Sequence, residues 1–257
     1  MNFRNKLIAL ETIVKKEVRR FTRIWVQTIV PPVITMSLYF IIFGNLIGKQ
    51  LGAISGFTYM QFIVPGLIMM SVITNSYMNV CSSFFSTKFQ KSVEELLVSP
   101  TPNTIIILGY CVGGVVRGLL VGFVVVMVSL FFTKMHIHNL FYLLSFAVLT
   151  ATVFSLGGLT NAIFAQKFDD ISIIPTFVIT PLTYLGGVFY SIEQLPLIWQ
   201  TVSKLNPILY MINGFRYGFL GISDVSLTLS ISILIFFIAL LFLMNLSLLR
   251  KGSGLRT

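Results

Sequence analysis

The chain has 257 residues, 56% of them hydrophobic and only 10% charged, with a mean hydropathy of +0.91. Soluble domains carry roughly 25% charged residues, so this composition excludes a disordered chain and an ordinary soluble enzyme and leaves a polytopic membrane protein. The formal net charge of +10 would suggest nucleic acid in a soluble protein; in this class it is read first as membrane topology.

Residues 1–23 carry seven basic side chains: Arg4, Lys6, Lys15, Lys16, Arg19, Arg20 and Arg23. Leu7, Leu10, Val14, Val18, Phe21 and Trp25 recur at three- and four-residue steps, which is one stripe of a helix. A basic face and an apolar stripe predict a cytoplasmic amphipathic helix lying flat in the membrane interface, with Trp25 at headgroup depth. The apolar stretch that follows is too long for a signal-peptide core and lacks a small-residue cleavage site, so no cleavable leader is expected.

Apolar runs long enough to span a bilayer as helices, which takes about 20 residues, fall at 24–46, 58–84, 104–132, 140–165, 173–190 and 227–249. Pro31-Pro32 is expected to kink the first or to mark where the flat helix turns upward; the fifth is short and holds Pro175 and Pro181. Cys81 and Cys111 lie in apolar runs, at a spacing that points to neither a disulfide framework nor a metal site.

With the N-terminus inside, the inner segments hold those seven residues and Lys88, Lys91, Lys167, Arg250, Lys251 and Arg256, against Lys49, Lys134, Lys204 and Arg216 outside. The bias predicts an all-α chain of six spans, with both ends cytoplasmic and a tail at 250–257. The outer segment 191–226 is long yet mostly apolar. Ser191-Ile192-Glu193-Gln194 is a capping-box pattern, and Ile192, Leu195, Trp199, Val202 and Leu205 then share a face. Asn206-Pro207 stops that helix, and 207–221 is a second apolar piece ending at Gly221. Each piece is too short to span, so 191–221 is expected to form a re-entrant pair, buried in protein or lining a cavity.

The inner loop 85–103 holds two capping-box patterns, Thr87-x-x-Gln90 and Ser92-x-x-Glu95. An amphipathic helix over about 87–100 follows. Phe85, Phe89, Val93, Leu96 and Leu97 share one face, Lys88, Lys91, Glu94 and Glu95 lie elsewhere, and Pro100 and Pro102 end it. The acidic pair would be repelled by an anionic bilayer, which favours a protein partner. Arg117 is the one ionisable residue read inside a span; among Gly113, Gly114, Gly118 and Gly122 it serves either as glue between helices or as lining of a path. Asp169 and Asp170 have no third ligand nearby and are expected to cap a helix or touch a partner rather than hold metal. His136 and His138 read as interfacial polar residues, and Gly186-Gly187, with Phe189 and Tyr190, as the end of span five.

No phosphate-cradling loop G-x-x-x-x-G-K-[ST] occurs, no span contains Asp or Glu, and no catalytic constellation shares one membrane depth. Such a chain reads as a non-catalytic transport subunit driven by another protein. A secondary transporter or channel, a membrane enzyme on lipid or glycan, and a scaffold or lipid-extraction partner of an ATPase are the alternatives.

Three strings carry a family resemblance: PLTYLGGVFYSIEQLPLIWQTVSKLNPILYMINGFRYGFLG at 181–221, KFQKSVEELLVSPTPN at 88–103 and FDDISIIPTF at 168–177. They resemble ABC-2 type transport permeases, and within that family the YadH-like inner membrane permeases, a group related to polysaccharide, nodulation-factor and drug exporters. The resemblance implies a homodimer in the bacterial inner membrane. Each copy would bind a cognate ABC ATPase subunit that holds ATP-Mg, with no cofactor bound directly, no metal and no nucleic-acid partner. Carried over by position, 87–100 becomes the coupling helix, through Phe89, Lys91, Val93, Glu94, Glu95, Leu96, Leu97 and Pro100. Arg19, Arg20, Arg23, Asp169 and Asp170 fall at the cytoplasmic interface. The pair at 191–221 becomes the outer gate, so that Arg117, Gly186, Gly187, Tyr190, Trp199, Pro207, Tyr210, Arg216 and Tyr217 are path or gate candidates. Phe 24, against Tyr 9 and Trp 2, suits an amphipathic or apolar cargo, and lipid-facing Phe accounts for the same count.

Overall fold

The computed structural model describes residues 2–54, 56–252 and 254; Ser253 and residues 255–257 of the predicted tail, Arg256 included, lie outside the described residues. Helix α1 (Phe3–Arg23) leads into α2 (Trp25–Tyr39), which widens into a π-helical segment, Phe40–Ile47, and a last turn, α3 (Gly48–Leu51). Strands β1 (Ala53–Ile54) and β2 (Phe57–Thr58) form a short antiparallel ribbon that pairs Ala53 with Thr58 and Ile54 with Phe57. Then come α4 (Tyr59–Phe89), α5 (Ser92–Val98), α6 (Asn103–Ser129) and α7 (Leu140–Phe164). Next, α8 (Asp170–Ile174), a π segment at Pro175–Ile179 and α9 (Thr180–Leu185) run on as one apolar helix. A 3-10 turn at Ile192–Gln194, α10 (Leu197–Lys204), α11 (Pro207–Leu220) and α12 (Leu227–Lys251) complete the chain.

Helix α4 is the axis, buried on nearly every side from Tyr59 to Lys88 between α6 and α7. It starts on a capping box: Thr58 Oγ1 accepts from the Gln61 amide while Gln61 Oε1 accepts from the Thr58 amide. Between apolar helices association rests on close packing and buried hydrogen bonds. Gly118 of α6 shows the first, because a Cβ there would stand 2.6 Å from Ser76 Oγ of α4. Asn245 of α12 shows the second: its Nδ2 donates to the Leu156 carbonyl at 3.0 Å, and its Oδ1 accepts from Thr160 Oγ1 at 3.1 Å.

Among the described residues, five helices are long and apolar enough to cross a membrane: Trp25–Gly44, α4, α6, α7 and α12. The run expected at 173–190 is the shorter helix Asp170–Leu185, about 24 Å long at 1.5 Å per residue against a hydrocarbon core of about 30 Å. It stops early because Gly187 takes φ +78° and turns the chain. The chain also breaks at Ile24, not at Pro31-Pro32, which lie inside α2. Thr28 Oγ1 donates to the Phe21 and Ile24 carbonyls at 3.3 and 3.2 Å, so acceptors at the break are satisfied. The buried face of α1 is Ile13, Glu17 and Phe21, with Leu10, Val14 and Val18 on its flank. That face meets protein rather than lipid. Ile13 lies on Gly109 and Glu17 on Gly113 of α6, where a Cβ on Gly113 would stand 2.5 Å from Glu17 Cβ.

Candidate functional site

At the end of the molecule that carries Lys88 and the start of α12's terminal residues, α4 and α5 make a corner. Lys91 turns it in the left-handed region at φ +60°. Neither expected capping box forms. Thr87 is still inside α4, bonding the Ser83 carbonyl and the Tyr110 hydroxyl, and Ser92 Oγ donates to the Thr87 carbonyl at 3.1 Å. The helix after the corner is therefore 92–98 rather than 87–100. Val93 is buried against α4 and Leu96 is half-buried, while Phe89, Lys91, Glu94, Glu95, Val98 and Pro100 face outward.

This corner is tied to the next loop. Lys88, expected on the polar face, is buried; its Nζ donates to the Ile163 and Ala165 carbonyls at 2.8 and 2.7 Å, closing the C-terminal end of α7. A cation there satisfies acceptors that the helix leaves free. The Phe168 ring meets those of Phe85 and Phe89 at centroid distances of 4.9 and 5.0 Å. Asp170 Oδ2 accepts from the Gln166 and Lys167 amides at 2.8 and 3.0 Å, and these bonds hold its carboxyl below the ordinary aspartate value. Asp170 thus folds the preceding loop rather than capping a helix. Asp169 makes no side-chain cap; its carbonyl accepts from Ser172 Oγ.

Deeper in, a polar layer joins α1, α4 and α6. Ser83 Oγ donates to Glu17 Oε1 at 2.6 Å. Arg20 Nη2 reaches Glu17 Oε2 at 3.4 Å and the Asn79 carbonyl and Oδ1 at 2.8 and 2.7 Å. Arg117 Nη1 reaches the same Asn79 Oδ1 at 3.5 Å. Arg20 therefore points into the bundle, which corrects its expected place at the cytoplasmic interface, whereas Arg19 and Arg23 are exposed. Sequence reading passed over Glu17, Asn79 and Ser83. The available signal was spacing: Ile13, Glu17 and Phe21 lie four residues apart, facing Gly109 and Gly113, also four apart.

At the opposite end, α11 is buried almost throughout. Asn206 caps it through Oδ1 on the Ile208 amide and anchors it through Nδ2 on the Leu182 carbonyl at 2.6 Å. Arg216, counted above as an outer-loop cation, is fully buried. Its guanidinium lies 3.9 Å from the Phe62 ring centroid and donates to the Gly187 carbonyl at 2.6 Å. Arg117 is thus one of three guanidinium groups directed into the bundle, with Arg20 and Arg216. Tyr210 is buried and donates to the Lys204 carbonyl at 2.7 Å; the Tyr217 ring packs edge-on against His138 and Tyr142. Gly186 is buried, Tyr190 and Pro207 are half-buried, and Trp199 is exposed on α10 beside Leu197, Ile198, Val202 and Leu205. Ser191 caps no helix; its Oγ donates to Asp224 Oδ2 at 3.1 Å. Arg117 does not join this group: it lines a separate cleft beside α2.

Residues 8–220, which hold the polar layer, the α4–α5 corner and the α10–α11 pair, match the ABC-2 type transporter family model. The chain belongs to the ABC-2 type transporter family. It is 61% identical over 250 residues to the inner membrane transport permease YadH of Escherichia coli (strain K12), covering 97% of this chain and 98% of that protein. Nodulation protein J of Rhizobium leguminosarum bv. viciae is 25% identical over 215 residues, 83% of each chain. Nodulation protein J of Rhizobium meliloti (strain 1021) is also 25% identical, over 83% of this chain and 82% of that protein. In this ABC-2 transporter the exposed α5 and the buried α11 both lie inside the matched region, and the whole of α12 lies beyond it.

Proposed function

We propose that the chain is the permease subunit of an ATP-binding cassette exporter in the bacterial inner membrane. It moves an amphipathic, lipid-linked, glycan or drug-like cargo outward, powered by ATP-Mg on a separate ATPase subunit. Two copies enclose the path, each with six spans and both termini in the cytoplasm, the short helix Asp170–Leu185 serving as the fifth. Kinship to an inner membrane transport permease over nearly the whole of both chains supports the location and the transport class.

The observation that carries this reading is the α4–α5 corner. A helix with Glu94 and Glu95 outward is seated by Val93 on α4, the helix most deeply packed among its neighbours. A push on α5 therefore acts on the axis of the bundle rather than on a loose loop. Lys88 and Phe168 pass the same displacement to α7 and to the loop before α8. ATP binding would bias a two-state bundle by its differential affinity for the closed ATPase dimer. The permease itself performs no covalent chemistry.

Both native cysteines are buried, so Glu94→Cys introduces one addressable thiol. In membranes holding the ATPase, a short thiol-directed crosslinker is expected to join this position to the ATPase, with a yield that changes when ATP is trapped. Equal crosslinking from Thr228→Cys on α12, or none at Glu94→Cys in a complex that transports, contradicts the reading. Transport that proceeds without any ATPase returns the secondary-transporter alternative.

A further inference from the structure

The cleft beside α2 has a volume of about 350 Å³ and opens between α2 and the α4–α6 pair. Its chemistry is divided. Pro31, Met36, Met70 and Met78 give an apolar wall, and Gln27 and Arg117 give hydrogen-bond donors. The charge around it does not balance. Glu17 is the one carboxylate of the polar layer, and both its oxygens are engaged, by Ser83 and Arg20. Arg20 also takes the better share of Asn79 Oδ1, at 2.7 Å against 3.5 Å for Arg117. Among the described residues the ion pairs are Lys15–Glu11 and Arg20–Glu17, so Arg117 has no carboxylate, and its Nε has no hydrogen-bond partner. An uncompensated guanidinium at membrane depth is costly, and its planar donors match a phosphate or carboxylate.

We propose that this cleft binds the anionic headgroup of an amphiphile, with the phosphate or carboxylate on Arg117 and the hydrocarbon against Pro31, Met70 and Met78. Thr35 and Thr74 at its lining are exposed, so a chain-bearing ligand enters sideways from the bilayer. The inference deepens the export reading by giving the cargo, or a bilayer lipid in its place, a negative head and an apolar tail.

The test is a binding titration on the full chain in neutral detergent, with neither ATPase nor ATP present. Decyl phosphate is expected to bind, decyl phosphocholine and inorganic phosphate to bind at least about tenfold more weakly, since they lack the net charge or the tail. Arg117→Gln is expected to weaken decyl phosphate about tenfold. Thr74→Glu, an exposed change that leaves the polar layer intact, should weaken it and Thr74→Lys should tighten it. Phosphatidylglycerol that competes identifies a bilayer lipid as the ligand, and phosphatidylglycerol that does not compete identifies a single-chain cargo; both keep the anionic site. Wild-type affinity in both Arg117→Gln and Thr74→Glu, or equal affinity for the zwitterionic and anionic heads, overturns it. Because no ATPase takes part, that failure leaves the export reading standing, and a failed ATPase crosslink leaves this binding intact.

Discussion

Glu17 shows how one residue sets the position of an element. A carboxylate with no exposed surface sits on a helix whose other charges, Arg20 apart, face outward, and it is held by Ser83 and Arg20. Removing one member of a buried pair strands the other. Glu17→Ala is expected to destabilise the protein by about 2 kcal/mol, less than a fully buried pair would cost because Arg20 is partly exposed. The loss shows as a lower unfolding midpoint in detergent and faster proteolysis of α1, with Glu17→Gln falling between. An unchanged midpoint would mean that α1 is held by its apolar contacts alone. Lys88 and Arg216 carry the same lesson in reverse, because each looked like a surface cation and each is spent on backbone carbonyls inside the fold.

At the scale of elements, the helix Asp170–Leu185 is the weakest candidate span, short and interrupted by a π segment at Pro175–Ile179. If it crosses, Lys167 and Lys204 lie on opposite faces of the membrane. Lys167→Cys should react with an impermeant thiol reagent only from the cytoplasm and Lys204→Cys only from outside; labelling of both from one side rules the crossing out. The long apolar runs were legible because length and hydropathy state them directly: α6 and α7 begin and end within about three residues of expectation. The break between α10 and α11 was legible from Asn206-Pro207, which caps and starts the second helix, whereas the first begins at Leu197 and not at the capping-box pattern of Ser191. Other features were not legible, since they depend on tertiary partners. The corner at Lys91 uses a non-glycine residue in a left-handed conformation that no local rule selects. Thr87 and Ser92 have capping-box spacing, yet the hydroxyl of each is taken by a neighbour in α4 or α6. Trp25 continues the apolar spacing of α1, yet it opens α2.

For the whole molecule, two structured ends are joined by one buried axis, α4. At one end α5 is exposed and seated on α4; at the other α11 is buried and locked to the turn at Gly187 through Arg216. Helix α4 reaches both: Val93 of α5 packs at its end, and Phe62 near its start lies under Arg216. On the proposed reading a movement at α5 would reach the far side through α4, and coupling through α5 is the central claim. Leu96→Pro tests it, because proline in a seven-residue helix removes the bond from residue 96 to the turn before it and breaks the seat on α4. The decisive measurement is ATP hydrolysis by the partner ATPase in proteoliposomes carrying either permease, with and without amphiphilic cargo. The account predicts that cargo stimulates hydrolysis with the native chain and not with Leu96→Pro, although both complexes assemble; cargo stimulation of equal size in the assembled Leu96→Pro complex would contradict it.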